Sequence, residues 1–108
     1  MSFAPETEEL VNELIQAEYR NACENWGDKY NSLHEGYAIL KEEYEEAETK
    51  VYFCKNVLGW IWRATKEGNT PYVAECIDTM EKDATLAMME LAQVLSCCKK
   101  LKNTIQEV

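Results

Sequence analysis

Apolar residues recur at intervals of four and three along almost the whole chain, and no segment shows the strict alternation of a strand. The spacing predicts three helices. The first runs from about Glu6 to Glu24, with Leu10, Leu14 and Ala17 in one row and Val11, Ile15, Tyr19 and Ala22 beside it. It ends near Trp26-Gly27, where glycine suits a C-terminal cap. The second opens on Ser32-x-x-Glu35, a capping box in which the serine hydroxyl takes a free backbone N–H and the glutamate reaches back to the cap. Its main stripe is Leu33, Tyr37, Leu40, Tyr44, Ala47, Val51, Cys54, Leu58 and Ile61, and the helix extends to about Lys66, with Gly59 a point where it could loosen. In the turn Glu67-Gly-Asn-Thr-Pro71, Thr70 can cap the next helix and Pro71 can take its first position. The third helix runs from about Pro71 to Thr104 on a stripe of Val73, Ile77, Met80, Ala84, Ala87, Met88, Leu91, Leu95 and Cys98. The expected architecture is all-α: a long antiparallel helix hairpin plus an N-terminal helix. So thin a bundle leaves apolar surface uncovered, which calls for a homodimer or homotetramer.

Composition narrows the function. A chain of 108 residues with 46% hydrophobic content can build the core of one domain, here residues 1–108. Twenty acidic residues against 11 basic ones, a net charge of −9, argue against neutralising a nucleic-acid backbone and permit cation binding. No basic start followed by an apolar core is present, nor a run of about 18 apolar residues. A soluble, cytoplasmic protein is expected. Five cysteines, none in a Cys-x-x-Cys pair, and a single histidine argue against zinc and for reduced thiols packed as small apolar groups.

The charges change the picture further. Five glutamates fall in the seven positions 42 to 48. Glu42 and Glu46, and Glu43 and Glu46, are helix neighbours whose repulsion costs roughly 0.2–0.5 kcal/mol each. With the stripe at 0°, Glu43 falls near about −60°, Glu46 near about −120° and Glu42 near about −160° on the helical wheel. That flank otherwise carries Ile39, Phe53, Val57 and Trp60, with Lys50 its one cation. In the third helix, Glu90 is the only charge between Ala84 and Cys98, and Gln93 shares its face. A carboxylate in so apolar a segment has to be paired, protonated or metal-bound. A turn centred on residues 68 and 69 sets residue i opposite about residue 137 − i, which brings Glu43 and Glu46 level with Glu90 and Gln93. Oxygen-only ligands of this kind suit Mg²⁺ or Mn²⁺. The plainer alternative is a solvated glutamate face, with Glu46 paired to Lys50 and Glu90 to a lysine.

His34-Glu-Gly-Tyr-Ala-Ile-Leu-Lys-Glu-Glu-Tyr-Glu-Glu46, with Glu90-Leu-Ala-Gln-Val94, resembles the MazG-like nucleoside triphosphate pyrophosphohydrolases, most closely their short phage-type and bacterial members. The resemblance covers about residues 22 to 102. It implies a single MazG-like all-α domain that hydrolyses a nucleoside or deoxynucleoside triphosphate to a monophosphate and pyrophosphate. It implies metal ligands at Glu43, Glu46 and Glu90, with Glu42 assisting a metal or water. The family's second motif is Glu-x-x-Asp, so Gln93 is a departure: it offers a neutral oxygen and weakens the site's charge. The alternative function is therefore a non-catalytic helical protein of the same fold that binds nucleotide or metal, or serves as a scaffold. Glu75-Cys-Ile-Asp78 also fits the motif, but its register opposite about residue 60 sets it far from Glu43. No phosphate-cradling glycine loop is present, leaving Lys50 and Lys55 as weak phosphate candidates. His34 reads as a helix-start residue, and Trp26, Trp60 and Trp62 read as packing residues before they read as base-stacking ones.

Overall fold

The computed structural model describes residues 2–106, and these form three helices and no strand: α1 Thr7–Trp26, α2 Leu33–Lys66 and α3 Thr70–Gln106. The fold is all-α, a long antiparallel hairpin of α2 and α3 with an N-terminal helix. The chain divides into two compact units. One comprises the described residues up to Tyr44 together with those from Leu91 onward; the other is Glu45–Glu90.

The second unit is the closed end of the hairpin. Its turn has a physical logic that the sequence shows only in part. Gly68 takes φ +68°, donating to the Thr65 carbonyl at 3.1 Å, and Asn69 donates to the Ala64 carbonyl at 2.9 Å. Those two bonds close α2 as a Schellman motif. Asn69 then caps α3 as well, its side-chain oxygen accepting from the Tyr72 N–H at 3.2 Å. The cap is thus Asn69, with Thr70 the first helical residue and Pro71 the second. Asparagine outranks threonine as a cap, and serving both helices from one residue makes the turn short. Gly59 does not interrupt α2.

The two arms meet along a seam that differs in phase from the expected stripe. Ala47, Val57 and Ala64 are buried on α2, with Lys50, Cys54 and Ile61 half-buried; Cys76 and Ala87 are buried on α3, with Val73, Met80, Asp83 and Glu90 half-buried. Of the expected stripes within this unit, Ala47, Cys54, Ile61, Val73, Met80, Ala84 and Ala87 are buried or half-buried. Elsewhere the packed position lies one residue earlier: Lys50 in place of Val51, Val57 of Leu58, Cys76 of Ile77 and Glu90 of Leu91. Val51, Leu58, Ile77 and Met88 are instead exposed. Both phases satisfy four-three spacing; Ala47, Ala64, Cys76 and Ala87, buried beside Val57, are small enough to let the helix axes approach closely. The rotation carries Glu90 onto the packed side.

In the first unit, α1 packs beside the first turns of α2 and the last turns of α3. Ile15, Tyr30, Ser96, Lys100 and Thr104 are buried there. Gly27, at φ +81°, ends α1. The loop that follows drives Tyr30 inward, and the Tyr30 backbone N–H donates to the Thr104 hydroxyl at 2.9 Å. Gly36 lies where α2 passes this plug: a Cβ there would come 2.5 Å from Leu101 Cδ1 and 2.9 Å from Tyr30 Cδ2. Ser32 caps α2 by accepting from the Glu35 N–H at 3.1 Å. The other half of the expected box differs, since the Glu35 carboxylate accepts from the Asn31 amide at 2.9 Å.

Candidate metal centre and cleft

Glu46 belongs to the α2 arm of the hairpin unit and Glu90 to its α3 arm, one residue from the expected register. Burial raises the Glu90 pKa from its ordinary value, and repulsion from Glu46 raises it further. A hydrogen bond to Glu46 adds to this, while the Lys50 ammonium opposes it. Glu43 stands one turn before Glu46 on the same unbroken helix. One carboxylate oxygen from each of Glu43, Glu46 and Glu90 lies within 4.8 Å of the other two. Glu43 and Glu90 are half-buried and Glu46 is exposed, so the group is open on one side. Three acceptor oxygens this close repel one another unless a proton or cation lies among them. Their hardness and spacing fit Mg²⁺ or Mn²⁺ chemically.

The remaining candidates distribute as follows. Lys50 is half-buried, acts on Glu90, and has its ammonium 5.5 Å from the Phe53 ring centre. Gln93 donates to the Glu18 carboxylate at 3.4 Å. Glu42 is exposed. Lys55 is exposed nine residues beyond Glu46, about half a turn around the helix from it. Glu75 and Asp78 are exposed and lie outside the acidic group. His34 is exposed in the first turn of α2. Trp60 and Trp62 are exposed, and the Lys66 ammonium lies over the Trp62 ring at 5.3 Å.

The first unit also contains a cleft of about 770 Å³ whose walls include Glu18, Trp26, Tyr30, Glu42, Glu43, Gln93 and Lys100. Trp26 is 79% exposed. Lys100 is buried, with its ammonium 4.5 Å from the centre of the Tyr30 ring and donating to the Trp26 carbonyl at 3.4 Å. Burial pushes the Tyr30 hydroxyl pKa up, as does its contact with Cys97, whose thiol burial also raises. Lys100 and Tyr30 went unrecognised in the sequence. The one available signal was the row Ser96, Lys100, Thr104, spaced by four on the face that packs against the Tyr30 plug.

All five cysteines are free thiols. No described helix is long and apolar enough to cross a membrane. No known family model, curated protein or solved structure matches the chain.

Proposed function

We propose that this protein is a metal-dependent nucleoside triphosphate pyrophosphohydrolase, as its resemblance to the MazG-like enzymes implies. The observation that carries this reading is the convergence of the Glu43, Glu46 and Glu90 carboxylate oxygens within 4.8 Å. In this reading those three residues hold Mg²⁺ or Mn²⁺, and Gln93 contributes a neutral oxygen nearby. A divalent cation there supplies neutralisation of the phosphate oxygens. Glu42 orients the attacking water and accepts its proton. Lys50 faces the triphosphate, and Lys100 sets one positive charge in the wall of an otherwise acidic cleft. The Trp26 ring offers a stacking face for the base. Water adds at the α-phosphorus and pyrophosphate leaves.

Gln93 favours a second reading, in which the fold binds cation or nucleotide without turnover. Its amide is engaged by Glu18, and it brings no charge. Pyrophosphate release from a panel of nucleoside and deoxynucleoside triphosphates separates the two. The first reading predicts release with Mg²⁺ or Mn²⁺ that falls at least about 100-fold in Glu46→Gln, since loss even of residues that merely support metal ligands costs about 10–100-fold. Release equal in the two proteins contradicts it. No release from any substrate, with melting temperature still raised by the cation, moves the assignment to the second reading.

A further inference from the structure

Among the described residues that line the cleft, Lys100 alone is cationic, and it is 7% exposed. A lysine so enclosed is ordinarily paired. Here the contacts of its ammonium are neutral: the Tyr30 ring, 4.5 Å to the centre, and the Trp26 carbonyl at 3.4 Å. An ammonium carries three N–H donors and no acceptor, so donor capacity remains for a ligand in the cleft. A free anion is a poor candidate, because Glu18, Glu35, Glu42 and Glu43 line the same walls and repel it. A neutral group with an accepting oxygen meets the ammonium without adding charge beside those carboxylates.

Spacing along α3 says which part of a ligand that group belongs to. Gln93 and Lys100 both line the cleft, seven residues apart, which is two helical turns on one face and about 10 Å. Glu43, a member of the acidic group, lines the cleft as well. A nucleotide with its phosphates at the Glu43 and Gln93 end reaches across the sugar to set the far edge of its base near Lys100. Trp26, whose carbonyl accepts from Lys100, offers its exposed ring at that same end. We infer that Lys100 reads the base, and that the protein takes the keto bases uracil, thymine, guanine and hypoxanthine in preference to cytosine and adenine. Thymine O4 and guanine O6 are acceptors, whereas cytosine N4 and adenine N6 are donors. The ammonium donates to a carbonyl oxygen. An amine in the same place sets donor against donor and leaves the enclosed ammonium unmet. Lys100 is thus a specificity-determining residue, held in place by the Tyr30 ring and the Trp26 carbonyl. The inference rests on the nucleotide-binding part of the proposed function, and not on turnover.

Two pairs of near-isosteric ligands test it: uridine against cytidine monophosphate, and inosine against adenosine monophosphate. Each is titrated into the native chain with Mg²⁺ and followed by the protein's amide chemical shifts. The keto member of each pair should bind about 10–100-fold more tightly, as one hydrogen bond to a charged group gives. Lys100→Met, which keeps the apolar stem and removes the ammonium, should abolish both preferences. Lys100→Arg, which keeps the donors, should retain them. Each ratio compares two ligands on one protein, so a weakened fold alone does not move it. Equal binding within the pairs by the native protein, binding of none of the four, or a preference that survives Lys100→Met would each overturn the inference. Pyrophosphate release distinguishes this failure from that of the enzymatic reading. Equal kcat/KM for uridine and cytidine triphosphates leaves the enzyme standing and overturns the role of Lys100. Keto-selective binding without release supports that role and removes the enzyme.

Discussion

At the scale of single residues, the carboxyl of Glu90 is under two pressures, burial and the charge of Glu46. Its pKa is raised on folding, so its contribution to stability is favourable below the ordinary glutamate pKa and is lost as pH rises through the folded value. Replacing it by glutamine removes a charge that is unfavourable at neutral pH. Relief of one like-charge neighbour is worth roughly 0.2–0.5 kcal/mol, so Glu90→Gln should melt about 1–4 °C above the native protein at pH 7 in chelator. The gap should close as pH falls towards the ordinary carboxylate range, where Glu90 is protonated and resembles glutamine. A gap that widens on acidification would show that Glu90 is stabilised as an anion. Glu90 was legible in the sequence because it is the lone charge in an apolar run. Lys100 was not, because a lysine between Lys99 and Leu101 near a helix end looks solvated. Only the Tyr30 ring, brought in by a loop, gives its ammonium an enclosed surface to lie on.

At the scale of elements, helix number, order and approximate ends followed from periodicity and punctuation. The phase of the packed face did not. Tyr44, Val51 and Leu58 looked like core because they are large and apolar, yet they are exposed, and Val57 and Ala64 are buried beside the expected Ala47. Hydrophobicity alone cannot choose between two rows offset by one residue when both are apolar. Where α2 crosses the Tyr30 plug, closeness is stricter still. Gly36→Ala adds a methyl against Leu101 and Tyr30. Overpacking costs about 1–3 kcal/mol, and the helix preference for alanine returns about 1 kcal/mol. The expected net loss is about 1 kcal/mol, or a fall of about 4–8 °C in melting temperature. Thermal unfolding of the variant checks this; a stabilised protein would mean that Leu101 and Tyr30 yield freely and the contact is not tight.

At the scale of the whole molecule, three helices with an acidic group on the hairpin and a cleft in the other unit support a reading as a cation-dependent phosphohydrolase. The residues that join sequence to that reading are few. Glu43 and Glu46 share a helix flank by spacing alone, and the register that brings Glu90 to Glu46 follows from the turn at Gly68 and Asn69. The most direct test is titration of Mn²⁺ into the chelator-treated protein, with free Mn²⁺ followed by electron paramagnetic resonance, for the native chain, Glu46→Gln and Glu90→Gln. The account predicts one saturable site per chain, weakened at least about tenfold in each variant with helical content unchanged. Absence of saturable binding, or affinity indifferent to both substitutions, would contradict a metal centre at Glu43, Glu46 and Glu90.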